Sequence, residues 1–421
     1  MPTLPDVRTG KNTSYSIYDA VIAAFSIFYT QSSSFLSWQA TMEQTTGNNN
    51  ARTIFGIDRI PSDNHIRNLL DPIPSESLYP VFNRIIDKII STNEINNGFR
   101  CLPQGYLLAL DGVWFHSSDS IRCDQCSTKT AKNGEITYYH NAITPVLVSP
   151  YQDKVLNLVP EFITPQDGHE KQDCENAAAK RWLSGPGLHY VPHGITILGD
   201  DLYCNQPLCS LMLTHGYNFL LTCKDSSHKY LAEWITYADP KKDLHEYSKP
   251  VRKGKSVETH RYRYALKVPL NGGDNPLLVN YIELSVFDEN GKLKNKFVYV
   301  TNLEVNKDNV EHLVRCGRSR WKIENEHNNT LKTKGYNLEH NFGHGKKNLS
   351  NLLLTMNLLA FLMHTVLELF DDKVALLRRS LPTRKTFYDD IRALTRYFCF
   401  PNWDQMILFM LRGLELIDPG G

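Results

Sequence analysis

The spacing of apolar and polar residues predicts a helical start, a strand-rich middle and a helical end. Apolar side chains recur at helical spacing over residues 15–29 and 78–90, and the polar segment 45–50 between them is expected to break the helices. Helical spacing returns after Asp308, which we expect to cap a helix that carries Glu324. The tail is also predicted to be helical, at 349–370 and 387–398.

The middle of the chain has the residue pattern of an α/β fold. Short apolar runs and helical segments follow one another in the order βββαβαβ, at 105–113, 138–148, 155–163, 173–183, 194–200, 208–215 and 217–222. A β insertion follows, with strands at 261–270, 277–287 and 296–301 separated by Gly-containing turns.

The pattern divides the chain into five regions. They are a helical N-terminal region (1–100), the first part of an α/β core (101–225), the β insertion (226–303), the second part of the core (304–348) and a helical C-terminal region (349–421).

The composition is that of a globular protein that folds without disulfides. The 421 residues are 41% hydrophobic and 22% charged, which excludes disordered and collagen-like chains. Nine cysteines, an odd number, and a start without a secretion signal are typical of a reduced cytoplasmic protein. The apolar window 352–367 is interrupted by polar residues and is shorter than the ~20 residues of a spanning helix. We therefore expect a buried core helix and no membrane association.

Charge is balanced overall but segregated along the chain. The net charge is +1, yet Lys and Arg outnumber Asp and Glu by eight to three over 315–347, nine to three over 241–267 and six to two over 378–396. Solvated helix and strand faces also produce such runs. Three of them in the C-terminal half favour a surface that faces a polyanion.

Three acids stand at or beside apolar elements. Asp111 and Asp200 each end a predicted strand, and Glu324 lies on the basic helical segment. Two strand ends and a helix can bring three carboxylates together, and such a cluster repels itself unless cations hold it. Mg²⁺ and Mn²⁺ prefer oxygen ligands, and a pair of such ions promotes in-line displacement at phosphorus. Strand-end acids are also common without such a role, so their spacing leaves both interpretations open.

Four segments together resemble the DDE transposases of bacterial insertion sequences. They are Leu-Asp-Gly-Val-Trp-Phe-His-Ser-Ser at 110–118, the segment 160–175 from Pro-Glu-Phe-Ile to Asp-Cys-Glu, Leu-Gly-Asp-Asp-Leu-Tyr at 198–203, and Trp-Lys-Ile-Glu-Asn-Glu-His-Asn-Asn-Thr-Leu-Lys at 321–332. They occur in the family order, and the likeness covers roughly residues 105–370. It implies a ribonuclease-H-like mixed sheet flanked by helices, with a β insertion before the glutamate.

The resemblance implies a catalytic role for the three acids. Asp111, Asp200 and Glu324 would be the catalytic and metal-binding triad for two Mg²⁺ or Mn²⁺ ions. Asp201 and Glu326 are neighbouring alternatives, and we prefer Asp200 as the strand-end acid and Glu324 for its place after Arg-Trp-Lys-Ile. On an α-helix Glu324 and Glu326 would point about 200° apart, so only one would face the metals.

The residues expected to bind DNA surround the glutamate. They are Arg320, Lys322, Lys332 and Lys334. The Tyr-Arg-Glu-Lys signature of the family is imperfect here, because Gly317 stands where the tyrosine is expected and Lys332 falls eight residues after the glutamate instead of seven. The position of Arg320 therefore agrees better with the family than that of Lys332.

The resemblance implies DNA transposition in a bacterial cytoplasm, at the nucleoid. Hydrolysis would free a 3′-hydroxyl at each element end, and that hydroxyl would then attack target DNA at the same site. The expected partners are terminal inverted repeats, target DNA and a second copy of the chain on DNA. The helical N-terminal region (1–100) would then bind DNA ends or pair protomers. Two alternatives remain open: a non-catalytic DNA-binding relative, and a metal-dependent nuclease that does not join ends.

Cys123 and Cys126 form a CxxC pair that is a candidate for structural zinc. Such a site needs four ligands, and the sequence offers as further candidates His116, His140, His169 and Cys174. Free thiols in a loop are the alternative. We interpret His340 and His344, four residues apart, as part of a polar or DNA-facing turn.

Overall fold

A computed structural model describes residues 4–6, 8, 13–93, 95–165, 175–238, 243–254 and 256–417. The first part of the chain is helical, as predicted, with α1 (Ile17–Tyr29), α2 (Phe35–Met42), α3 (Thr45–Thr53), α4 (Asp63–Leu70), α5 (Tyr79–Ser91) and α6 (Asn96–Phe99). The expectation of a break at 45–50 is wrong. Buried Asn50 of α3 donates hydrogen bonds to the carbonyls of Thr395 and Phe398, a contact that local sequence does not reveal.

The strands form two sheets. In chain order they are β1 (Arg100–Leu102), β2 (Gly105–Ala109), β3 (Gly112–Ser118), β4 (Ser127–Thr130), β5 (Ile136–Ile143), β6 (Val146–Ser149), β7 (Gln152–Asn157), β8 (Glu161–Ile163), β9 (Ile195–Gly199), β10 (Asn218–Thr222), β11 (His245–Lys253), β12 (Ser256–Pro269), β13 (Leu278–Phe287) and β14 (Leu293–Thr301). The large sheet has the order β11-β12-β13-β14-β10-β9-β2-β6-β7, with β1 beside β2. The small sheet has the order β3-β5-β4, with β8 beside β5.

The centre of the large sheet has a ribonuclease-H-like arrangement, as the resemblance implied. β2, β9 and β10 are parallel neighbours, whereas β6 and β7 continue the sheet antiparallel on the other side of β2. The helices α7 (Glu175–Ser184) and α8 (Gln206–Thr214) lie before and after β9 in the chain. The strands at this centre are almost wholly buried, which is typical of a sheet covered on both faces.

Two predicted strands are each divided between the two sheets. The segment predicted at 138–148 ends in the small sheet as β5 and resumes in the large sheet as β6, and the segment at 155–163 is split likewise into β7 and β8. Pro145 and Pro160 lie at these breaks, where the chain leaves one sheet for the other. Proline has no N–H to donate to a strand ladder, so it suits the point where pairing stops.

The β insertion continues the core sheet. β14 pairs antiparallel with β10, with Leu220 opposite Thr301, and β11 to β13 follow beyond it. A helix, α9 (Lys229–Tyr237), precedes these strands. Tyr262 and Tyr264 are buried, and their rings stack on Tyr247 and His245 across β11 and β12. These aromatic rings therefore serve in packing.

The last part of the chain is helical around one long central helix. The helices are α10 (Val310–Arg318), α11 (Asn329–Thr333), α12 (Leu349–Phe370), α13 (Asp372–Ser380), α14 (Arg384–Tyr397) and α15 (Trp403–Gly413). The N-cap residue of α10 is Asn309, one residue after the expected Asp308. α12 is long and apolar enough to cross a membrane by length and composition. Fifteen of its residues are buried inside the protein, against α1, α4 and β7.

The start of α12 is capped by a residue from the N-terminal region. The carboxylate of Asp71, at the end of α4, accepts hydrogen bonds from the backbone N–H groups of Lys346, Lys347 and Leu349 at 3.0–3.2 Å. A carboxylate at a helix N-terminus satisfies free N–H groups and complements the helix dipole. The N-terminal helices are thereby fastened to the segment that leads into α12.

Candidate active site

The register of two parallel strands places Asp111 beside Asp200. Ala109 of β2 lies opposite Leu198 of β9, and the Leu110 N–H continues this pairing to the Leu198 carbonyl at 2.9 Å. Each aspartate follows two residues later, so the two acids leave equivalent positions on strands about 4.8 Å apart. The predicted meeting of these strand ends is therefore found in the fold.

Glu324 reaches this strand edge from a helix of irregular winding. The chain passes from α10 through a 3₁₀ turn (Ser319–Trp321) into a π-helical turn (Ile323–Asn328) and then α11. The expected single α-helix is thus wrong. The Arg320 guanidinium donates to Glu324 Oε1 at 2.9 Å, and Asn328 Nδ2 lies 3.5 Å from Asp111 Oδ2. This contact brings the helical segment over the end of β2.

Burial and the neighbouring acids raise the pKa of Asp111 to about 7. Burial is the largest cause, the charge of Glu175 is the next, and the charges of Glu324 and Asp200 add to it, while Arg320 opposes them. A carboxylate whose ionisation costs this much lacks positive charge in its surroundings. A divalent cation fits the donor set, because it prefers several carboxylate oxygens and would favour their ionised forms.

Glu175 is a fourth acid that the sequence analysis did not select. It is the first residue of α7, and burial and the charge of Asp200 raise its pKa although the Tyr203 hydroxyl donates to it at 3.1 Å. A Cβ at Gly112 would lie 2.5 Å from Glu175 Oε1, so the glycine leaves room for this carboxylate. Its only sequence signal is its place at the end of the segment 160–175.

The structure bears on the two neighbouring acids that the sequence left as alternatives. Asp201 accepts the Lys224 N–H at 2.6 Å and lies 3.4 Å from His228 Nε2, so its carboxylate is engaged near the end of β10. Glu324 and Asp200 are among the charges that raise the pKa of Asp111. The contacts of Asp201 and the effect of Asp200 and Glu324 on the pKa of Asp111 together favour Asp200 and Glu324 as the members of the acid cluster.

The comparison with known families concerns the middle of the chain. Residues 164–362 match the family model described as the transposase DDE domain. This match covers slightly less than half of the chain and is consistent with a DDE transposase of the insertion-sequence type. The matched segment includes Glu175, Asp200 and Glu324, whereas Asp111 precedes it and is related to Asp200 by the pairing of β2 with β9. No curated protein gives a significant match to the chain.

Local packing accounts for both departures from the DDE signature. A Cβ at Gly317 would lie 2.7 Å from the Tyr299 ring, so the aromatic ring of β14 occupies the space beside the position where the signature has its tyrosine. The π-helical turn accommodates one additional residue in the helix. Lys332, eight residues after Glu324, therefore returns near the face that the seventh residue would take on a regular α-helix.

The four cations predicted to bind DNA have different environments in the DDE domain. Lys322 is buried, and its ammonium donates to the Gln152 carbonyl at 2.7 Å. Its charge is therefore directed into the protein and not at a DNA surface. Lys332 and Lys334 are exposed, and Lys332 pairs with Glu339 at 2.8 Å. Arg320 borders a cavity of about 490 Å³ whose lining includes Lys224, Lys296, Phe297, Arg318 and Trp321.

Proposed function

We propose that the protein is the transposase of a bacterial insertion sequence. It would cut the element ends by phosphodiester hydrolysis and join the freed 3′-hydroxyls to target DNA. The observation that carries this proposal is the strand register that sets Asp111 beside Asp200, with Glu324 near enough to raise the pKa of Asp111. The DDE domain match supplies the reaction class.

The acids are proposed to hold divalent ions. Asp111, Asp200 and Glu324 would be the ligands of two Mg²⁺ or Mn²⁺ ions. The Glu175 carboxylate would add negative charge next to the same ions. Ions bound there would supply positive charge for the attacking and leaving oxygens of the phosphodiester. Arg320 would orient Glu324 through their 2.9 Å ion pair. The other N–H groups of its guanidinium would bind a DNA phosphate.

DNA is proposed to follow the cations around the acid cluster. Arg318, Lys224 and Arg320 border one cavity. Exposed Lys332 on α11 and Lys334 just after it continue the positive charge. Phosphate contacts of this kind position the DNA without reading its sequence. Since two element ends must be cut and joined, we propose that a homodimer assembles on DNA in the cytoplasm, at the nucleoid.

A cleavage and strand-transfer assay tests the proposal. DNA from the flanks of the gene is incubated with the protein and Mg²⁺ or Mn²⁺, and the wild type is compared with Asp111→Ala, Asp200→Ala and Glu324→Ala. We expect joined products from the wild type and none from the three variants. Glu326→Ala is the matched control, because it removes a neighbouring acid of the same π-helical turn, and we expect it to retain the products.

The other outcomes point to the alternative functions. Cleavage without joining would favour a nuclease. DNA binding without cleavage in either metal would favour a non-catalytic relative and would remove the assignment of the acids. Loss of products in Glu326→Ala but not in Glu324→Ala would move the third acid by two residues. A strictly monomeric complex with element-end DNA in sizing experiments would contradict the homodimer.

A further inference from the structure

Four metal-ligating side chains converge at a place that the active site does not use. Cys123 and Cys126 lie in the connection between β3 and β4, His140 lies on β5, and His344 lies in the segment between α11 and α12. Cys126, His140 and His344 are buried. The pair Cys126 and His344 is 218 residues apart in sequence, so the fold alone brings this group together.

The distances between the ligand atoms are those of a tetrahedral site. The Sγ atoms of the two cysteines are 3.9 Å apart, and the Nε2 atoms of the two histidines are 3.2 Å apart. The three sulfur–nitrogen distances measured between them are 3.3–3.5 Å. Ligands at the usual Zn–S and Zn–N lengths would be separated by about 3.8 Å for S–S, about 3.3 Å for N–N and about 3.5 Å for S–N.

We propose that Cys123, Cys126, His140 and His344 bind a structural zinc ion. The two thiols lose their protons to solvent when they bind, and the two neutral imidazoles donate through Nε2, so the occupied site carries no net charge. The Nδ1 atom of His344 lies 3.1 Å from the Gly345 carbonyl, a contact that fixes the ring with Nε2 free for the metal. The Cys123 N–H points at the Cys126 sulfur at 3.4 Å and would stabilise its thiolate.

The candidate ligands from the sequence are thus corrected. His140 is in the group, whereas His116 only packs against it, with its Nε2 3.4 Å from the Ile121 carbonyl. His169 and Cys174 lie outside the described residues. His344 was interpreted as part of a polar or DNA-facing turn, and it is instead buried at 8% exposure against the CxxC.

Together with the contacts of Asp71, the ion would fasten three parts of the protein to one another. It would join the small sheet to the segment that connects α11, which carries Lys332, with α12. The same segment is held from the other side by Asp71, which accepts the N–H groups of Lys346 and Lys347. Gly345 makes this approach possible, since it has a φ of +70° and a Cβ there would lie 2.3 Å from Asp71 Oδ1. Zinc would thereby fix the catalytic core relative to the N-terminal helices.

Metal analysis of the full-length protein tests the site. Protein purified without chelators or added metal is expected to contain about one zinc ion per chain. Cys126→Ser and His344→Ala are expected to lose it, and His344→Cys, which restores a fourth ligand, is expected to keep it. Two controls should also keep it: Asp111→Asn in the carboxylate site, and Cys223→Ser in a separate group with Cys204 and His228.

Two outcomes would overturn the proposal: wild-type protein without zinc, or zinc that stays in both cluster variants. If those variants are insoluble, cobalt exchanged into the wild type provides a second measurement. The visible absorption of a tetrahedral cobalt–thiolate centre would support the site, and its absence would exclude the site. Chelation is further expected to speed tryptic cleavage after exposed Lys346 and Lys347, and unchanged cleavage would refute the fastening role. None of these measurements depends on transposition.

Discussion

Replacing Asp111 by asparagine should stabilise the metal-free protein in a pH-dependent way. The folded protein raises the pKa of this carboxyl from 3.8 to about 7, chiefly through burial and the charge of Glu175. Between these two values the folded state binds more protons than the unfolded state, so stability falls as the pH rises. Asp111→Asn removes the ionisable carboxyl, so the variant should not lose stability with rising pH through this residue.

The shift sets the size of the effect. From about pH 5 to about pH 8, wild-type Asp111 ionises at a folded pKa near 7, which corresponds to a loss of about 2–3 kcal/mol at 1.36 kcal/mol per pKa unit. The advantage of Asp111→Asn over the wild type should grow by about that amount across the same interval. Denaturant unfolding at both pH values with a chelator present measures it. Asp153→Asn is the control, because it makes the same substitution at a fully exposed carboxylate, and its stability should follow that of the wild type across the interval.

Magnesium provides an independent check of the same reasoning. A divalent ion favours the ionised carboxylates, so it should stabilise the wild type at pH 8 and narrow the gap to Asp111→Asn. An advantage of equal size at both pH values would refute the argument. So would a wild type that gains stability relative to the variant as the pH rises.

Three further predictions concern stability. Gly317→Ala should cost about 1–3 kcal/mol through its clash with the Tyr299 ring, and Tyr299→Ala in the same chain should relieve part of it; additive losses in a double-mutant cycle would contradict this contact. Burial of the Glu368 side chain raises its pKa, but the nearby cations, chiefly Arg384 and Lys154, together outweigh the burial and lower the pKa to about 2. Stability should therefore be lost as the pH falls from about 4.5 towards 2. Glu368→Gln should lose less stability than the wild type over that interval in acid denaturation. An equal loss of stability would exclude the ion pairs of Glu368 as the cause. Asp71→Ala should cost about 1–2 kcal/mol in urea unfolding because it removes the cap of α12, whereas Asp71→Asn should retain more of the cap.

The sequence predicted the parts of the candidate active site that follow from local pattern. Asp111 and Asp200 end apolar strands, and the ends of parallel strands meet at one edge, so their proximity could be inferred before the fold was known. The bounds of α12, at 349–370, were predicted correctly because apolar side chains recur at helical spacing along this segment.

The remaining features depend on contacts between distant segments. α3 was missed because its buried Asn50 is satisfied by carbonyls about 350 residues later. No local signal places Glu175 in the acid cluster, since only the fold sets the start of α7 near Asp111 and Asp200. His344 was misinterpreted for the same reason, because its partners lie on β5 and in the connection after β3.

The packing of α1 against α12 has a consequence for synthesis on the ribosome. Buried residues of α1 share a hydrophobic cluster with Leu352, Met356 and Ala360, which are translated more than 300 residues later. At a bacterial synthesis rate of roughly 5–20 residues per second, α12 is completed on the order of tens of seconds after α1. During that time the nascent chain exposes the apolar face of α1 to chaperones and to other chains. A gene copy truncated before residue 349 would therefore encode a chain whose N-terminal helices cannot complete their core.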